Sequence, residues 1–235
     1  MRIWNLQSNA RLPFILGADL RLSPTNYCND QTWELILGKG EPPALAIMTT
    51  YGLRVRMLRI FPQFIEGDAR VVEPSTFKTP VTIQQFFPNF IKVTFSPFSD
   101  INVEIEYWVP GSQVIAARTK LYNTSTGLRT IRVEWAVVLN PLPGGQRMIP
   151  MEVGLTPVLS GKSEGIQPIF YMAGGAKPGS GPFPSLTLPM QIQPKDSTTV
   201  TWTFASLGDL EASYQLAQQT SVRNWEAETA RILRV

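Results

Sequence analysis

With 235 residues, of which 43% are apolar and 17% charged, the chain is long enough and apolar enough to bury one large core. Its formal charge of +3 comes from 21 Lys and Arg against 18 Asp and Glu, scattered rather than gathered on the basic face that grips nucleic acid. There is no histidine and only one cysteine, Cys28, which excludes Ser-His and Cys-His nucleophiles, His-based or paired-Cys metal sites and an intrachain disulfide.

The first 20 residues hold no signal-peptide core, and no apolar run approaches the ~18 residues of a membrane span, so the expectation is a cytoplasmic protein without a membrane segment. Twenty prolines and seventeen glycines spread along the chain punctuate many short strands, which points to an all-β class. Strands are predicted at 32–37 and 44–49. Between them Gly38-Lys39-Gly40 runs into Pro42-Pro43, which prevents the helix that a dinucleotide loop requires. Alternation continues through Leu53, Val55 and Met57, then 69–72, 81–85, and Ile91, Val93 and Phe95.

Residues 100–140 read as a three-strand meander. With Pro110-Gly111-Ser112 as the first loop, Val109 faces Gln113 and Glu104 faces Arg118. With Ser125-Thr126-Gly127 as the second, Lys120 faces Arg132 and Arg118 faces Glu134, and Gly127 takes a positive φ. Asn123-Thr124-Ser125 matches a glycosylation sequon but reads as turn chemistry. One face of this unit, from Ile101, Val103, Ile105 and Tyr107 to Ile131, Val133, Trp135 and Val137, belongs to the core. The other carries charges at one end and Trp108, Val114, Ala136 and Val138 at the other, an apolar patch that asks for a cover.

Further strands fall at 166–172, at 186–192 with Leu186, Leu188, Met190 and Ile192 on one face, and at 198–204. The intervening Gly174–Gly181 run lacks the Gly-Lys-Ser/Thr ending of a phosphate loop and reads as a flexible surface loop. After Ser206 the period changes. Leu210, Tyr214, Ala217, Val222, Trp225 and Ile232 fit a helix opened by Ser206 and Asp209 and interrupted near Thr220-Ser221. The sum is a mainly β fold, a large antiparallel β-sandwich over 1–205 with a C-terminal α-helical linker over 206–235.

The run EIEYWVPGSQVIAARTKLYNTSTGLRTIRVEWAVVLNP, with Ala212, Tyr214 and Trp225 of the closing segment, resembles the N-terminal supersandwich (galactose mutarotase-like) domain of bacterial glycoside hydrolases and phosphorylases. The relevant types are glycogen-debranching, glucoamylase and cellobiose-phosphorylase proteins, and the resemblance spans residues 14–235. It implies a non-catalytic domain that packs against its own C-terminal (α/α)6 catalytic domain, with oligosaccharide as a further partner. It implies no catalytic, cofactor-binding or metal residue in this chain, because the family's catalytic carboxylates lie in the barrel. Aldose mutarotases share the fold but use histidine with a glutamate, a pattern from which this chain departs.

In phosphorylase relatives an early loop reaches the sugar site, and residues 23–30 resemble it, with Tyr27 to stack on a ring and Asp30 to bond hydroxyls. An ordinary turn before the Trp33 strand is the competing reading. Trp4, Trp33 and Trp108 are the aromatic candidates for sugar or interdomain contact, whereas Trp135, Trp202 and Trp225 alternate with core or helix-face residues. Glu104 and Glu106 share a strand face at about 7 Å, a spacing close to that of glycosidic acid/base chemistry, but a solvated ladder with Arg118 between Glu104 and Glu134 accounts for them without any substrate. A free-standing carbohydrate-binding module for glucans is the alternative to the buttressing domain.

Overall fold

The computed structural model describes residues 4–5, 12–25, 31–37, 45–49 and 54–234. In chain order its strands are β1 (Trp4–Asn5), β2 (Leu12–Leu16), β3 (Trp33–Leu37), β4 (Ala46–Thr49), β5 (Val55–Glu66) and β6 (Ala69–Val71). There follow β7 (Thr79–Phe87), β8 (Phe90–Phe98), β9 (Ile101–Gly111), β10 (Val114–Asn123) and β11 (Arg129–Pro141). The last six are β12 (Gln146–Val153), β13 (Thr156–Lys162), β14 (Gln167–Met172), β15 (Lys177–Pro178), β16 (Ser185–Ile192) and β17 (Ser197–Leu207). Helices α1 (Leu210–Ser221) and α2 (Trp225–Ile232) close the chain.

The strands form two antiparallel sheets. One has nine strands in the order β1-β7-β8-β9-β10-β17-β14-β13-β12; the other has eight, β15-β16-β11-β5-β4-β3-β2 with β6 beside β5. The β-sandwich with a helical C-terminal part is therefore present as read. Alternation explains the core, since each strand sends every second side chain between the sheets. Trp135 lies 5.0 Å from Trp202 and 6.3 Å from Tyr107, Phe170 lies 5.2 Å from Trp202, and Trp33 meets Phe204 edge-on at 5.5 Å. At roughly 150–250 Å² per ring and about 25 cal/mol per Å², each contributes about 4–6 kcal/mol before entropy.

The three-strand meander is corrected. β9 and β10 do form a hairpin, but Arg118 pairs with Glu106 and Lys120 with Glu104, two residues from the expected register. A two-residue shift preserves the faces, so the inner residues stay inner. β10 does not pair with β11 at all; its other neighbour is β17, while β11 lies between β5 and β16 in the opposite sheet. The chain crosses between sheets at 124–128, pinned by the buried Asn123 amide, which donates to the carbonyls of Gly127, Ile192 and Gln193 at 2.7, 3.0 and 3.2 Å. Gly127 needs no positive φ in this crossing.

The helices pack on the outer face of the nine-stranded sheet. Asp209 caps α1 by accepting from the Ala212 N–H at 2.8 Å, and Asn224 caps α2 through Ala227 at 2.9 Å. Just before the helix the Ser213 hydroxyl accepts from the Leu207 N–H at 2.9 Å. Ala217 and Leu210 of α1 cover Val114, Val158, Ile169 and Ala205, whereas Val222, expected on the same face, is 78% exposed in the break between helices.

Candidate functional site

The even-numbered positions of β9 and β10 face outward, and their charges interlock. The Lys92 ammonium lies 3.0 Å from both Glu104 and Glu106, and Arg118 reaches Glu106 at 2.9 Å and Glu226 of α2. Burial works against the Lys92 charge, but hydrogen bonds to both glutamates outweigh it and raise its pKa above the ordinary lysine value. The hydrogen bond from Arg118 holds the Glu226 carboxyl below the ordinary glutamate range. The charge ladder expected for Glu104 and Glu106 is thus real, but its partners are Lys92 and Glu226 rather than Glu134. Both carboxylates are paired with cations, so neither stands free as a carboxyl group waiting for a substrate.

Glu134 sits on the other sheet, 2% exposed. Its carboxylate accepts from the Ser185 hydroxyl at 2.7 Å and lies 3.4 Å from Arg70, which in turn donates to Gln63. Sequence reasoning missed this buried group. The signal was the glycine run, because a Cβ at Gly179 would stand 2.1 Å from the Ser185 hydroxyl and one at Gly181 would stand 2.9 Å from Glu134. The run therefore lies at the surface, as read, with Gly179 and Gly181 seated over a buried carboxylate and Gly174 and Gly175 supplying the positive φ of its turn.

Of the aromatic and loop candidates, Tyr27 and Asp30 lie outside the described residues. Trp4 stands in β1, paired with Ile83. The surface placement of Trp33 and Trp108 is corrected. Trp33 is fully enclosed against Phe204 because the odd positions of β3 project between the two sheets. Trp108 is 4% exposed, covered edge-on by Trp225 at 5.5 Å and by the Arg223 guanidinium at 5.0 Å. The apolar patch around Trp108 and Val114 thus receives its cover from the chain's own helices, while Ala136 packs with Ala46 and Phe61 outside the other sheet.

Beyond the helices, the nine-stranded sheet carries a groove of about 440 Å³ lined by Thr82, Thr94, Ser96, Asn102, Glu104 and Tyr122. Bulges border it, between Thr79 and Thr82 on β7 and between Phe95 and Phe98 on β8. Such irregularities bend a strand away from its neighbour and re-aim its side chains, which is how a sheet face becomes concave. Among the described residues no group of three or more His, Cys, Asp or Glu side chains is placed to hold a metal ion, and no helix is long and apolar enough to cross a membrane.

No protein-family profile and no curated protein matches the chain. Solved structures do. A bacterial glucoamylase in complex with acarbose aligns at a TM-score of 0.62 and 8% identity, over 99% of this chain and 40% of that one. The fold is the supersandwich. A protein described as a kojibiose phosphorylase from the human microbiome shares it at a TM-score of 0.54 and 11% identity, over 90% of this chain and 29% of its own. The Slr1438 protein from Synechocystis sp. PCC 6803 aligns at 0.50 and 10% identity, over 88% of this supersandwich and 100% of that chain. The sandwich therefore matches a domain-sized part, 29% and 40%, of the kojibiose phosphorylase and the glucoamylase.

Proposed function

We propose that this chain is a non-catalytic supersandwich domain of a glycoside hydrolase-like protein, one that packs against a helical-barrel catalytic domain and helps to shape it. In this reading 1–205 is the sandwich and 206–235 the linker toward the barrel. The parent protein is a cytoplasmic glycoside hydrolase or phosphorylase, of which a glycogen-debranching protein is one instance. The observation that carries the proposal is coverage: the likeness takes in 99% of this chain, helices included, yet 40% of the glucoamylase. The pairing of Glu104 and Glu106 with Lys92 and Arg118 supports it, since the carboxylate pair singled out for glycosidic chemistry is committed to ion pairs.

The test measures turnover and association together. Purified chain is assayed on maltohexaose and cellohexaose, with and without phosphate, and is mixed with the (α/α)6 barrel encoded beside or beyond it. The expected outcome is no turnover by the chain and a stable complex, or fused unit, whose barrel loses activity when the sandwich is removed. Turnover by the chain alone, lost on Glu104→Gln or Glu106→Gln, refutes it. The second reading, a free-standing glucan-binding module, is favoured by the full coverage of the Slr1438 chain; a chain that binds glucan and has no barrel partner would establish it.

A further inference from the structure

We infer that the groove on β7–β10 is a binding site for a neutral oligosaccharide. Its volume of about 440 Å³ lies within the roughly 300–1,000 Å³ of small-ligand sites. Its lining is chemically specific. Thr94 and Ser96 offer hydroxyls, Asn102 an amide, Glu104 a carboxylate and Tyr122 a phenol, on adjacent strands and on one face. Part of this capacity is already fixed: Ser96 donates to the Asn102 carbonyl at 2.7 Å, and Gln84 donates to Thr94 at 3.0 Å. Those bonds orient the groups and leave the Asn102 amide hydrogens directed elsewhere, since its oxygen is the occupied end.

Charge decides the ligand class. The ladder beside the groove balances three cations, Lys92, Arg118 and Lys120, against three carboxylates, Glu104, Glu106 and Glu226, so no surplus charge draws an anion or a polycation. Lys120 is also engaged on the Tyr122 ring, 4.6 Å from its centroid. An apolar ligand would strip water from hydroxyl, amide and carboxylate without replacing those hydrogen bonds, while the apolar part of the lining, Pro80 included, suits the C–H face of a sugar ring. A polyol replaces them: vicinal hydroxyls donate to Glu104 and accept from Asn102 and Tyr122. Within the described residues α1 and α2 cover the other half of this face and leave the groove open.

The inference rests on the carbohydrate reading only for the choice of probe. The full chain is titrated calorimetrically with maltohexaose and cellohexaose up to about 10 mM, the weak end of specific binding. The expected result is saturable binding of at least one of them, weakened about 3- to 10-fold by Tyr122→Phe, which removes one hydroxyl, and by Asn102→Ala. Tyr122→Phe keeps the ring, so its unchanged melting temperature separates lost binding from lost folding. No saturation with either probe overturns the inference, as does binding that both variants leave intact. Association with a helical barrel is read separately in the Tyr122→Phe chain; its survival there keeps a failed groove distinct from a failed domain assignment.

Discussion

Replacing Trp225 with Ala should release α2 as a unit while leaving the sandwich folded. Trp225 is 5% exposed, meets Trp108 edge-on at 5.5 Å, and lies 5.3 Å from the Arg118 guanidinium. Truncating a buried tryptophan costs about 3–5 kcal/mol, with about 0.5–1.5 kcal/mol of that class of loss specific to the aromatic pair. α2 has eight residues, and helices shorter than about 12–15 residues have little stability of their own. What would remain includes Ile232, the Arg118–Glu226 and Arg223–Glu228 pairs and the hydrogen bond from Arg231 to the Leu22 carbonyl. Those do not replace the lost ring, so the helix undocks rather than enclosing a cavity. Trp225 and Trp108 form a cluster separate from the main core, which limits the damage. Hydrogen exchange over 225–232 should accelerate to the unprotected rate, and calorimetry should show a small fall in melting temperature. Trp135→Ala, in the centre of the main core, should instead lower it by about 6–20 °C, taking about 2–4 °C per kcal/mol for a chain of this size. Protected α2 amides in the Trp225→Ala chain, or a melting loss equal to that of Trp135→Ala, would refute the reasoning.

The glycines over Glu134 supply a second prediction. Gly179→Ala should destabilise by about 1–3 kcal/mol in urea unfolding, because its Cβ would enter occupied space; Gly127→Ala, with nothing near its added carbon and an ordinary φ, should fall within about 0.5 kcal/mol of the parent. Acid supplies a third. The Glu226 pKa is lowered in the fold, so its pair with Arg118 contributes fully above the ordinary glutamate range and is lost as pH falls through the depressed folded value. Near-ultraviolet circular dichroism of the Trp108–Trp225 pair should therefore weaken in that acid window, and Glu226→Gln should show the weakened signal already at neutral pH.

How much of the fold could be read depended on what alternation encodes. It fixes which side chains of a strand share a face, and the inner residues of β9, β10 and β11 were read correctly for that reason. It does not encode which strand lies alongside. The hairpin default placed β11 beside β10, but β10 finds its second neighbour in β17, with Arg118 opposite Thr201. Strands without clean alternation were missed. β12 contains Pro150 and buries only Met148, while β5 continues past Met57, where the strand reading stopped, and through Pro62 to Glu66. Pro62 is tolerated because β4 pairs only as far as Ile60 and β6 only from Phe64, so no ladder bond on that edge asks for its missing N–H.

The site was less legible, and the reason lies in what a tryptophan or a glycine means in isolation. A flat ring suits a sugar and a sheet core alike, and only the order of strands decides between them. Trp33 projects toward the opposite sheet and meets Phe204 of β17, so it lies in the core, and α2 folds back, so Trp108 lost its open face. The polar positions that line the groove looked like ordinary solvated strand residues, because Thr94, Asn102 and Tyr122 come from three strands and meet only through the β8-β9-β10 order. Their common concavity comes from bulges, which insert a residue without breaking the apolar period on either side. A binding surface built in this way has no motif, since its specificity lies in register. Moving the β9–β10 register by two residues, from the observed pairing to the expected one, keeps every core residue inside yet takes Tyr122 from opposite Asn102 to opposite Asp100.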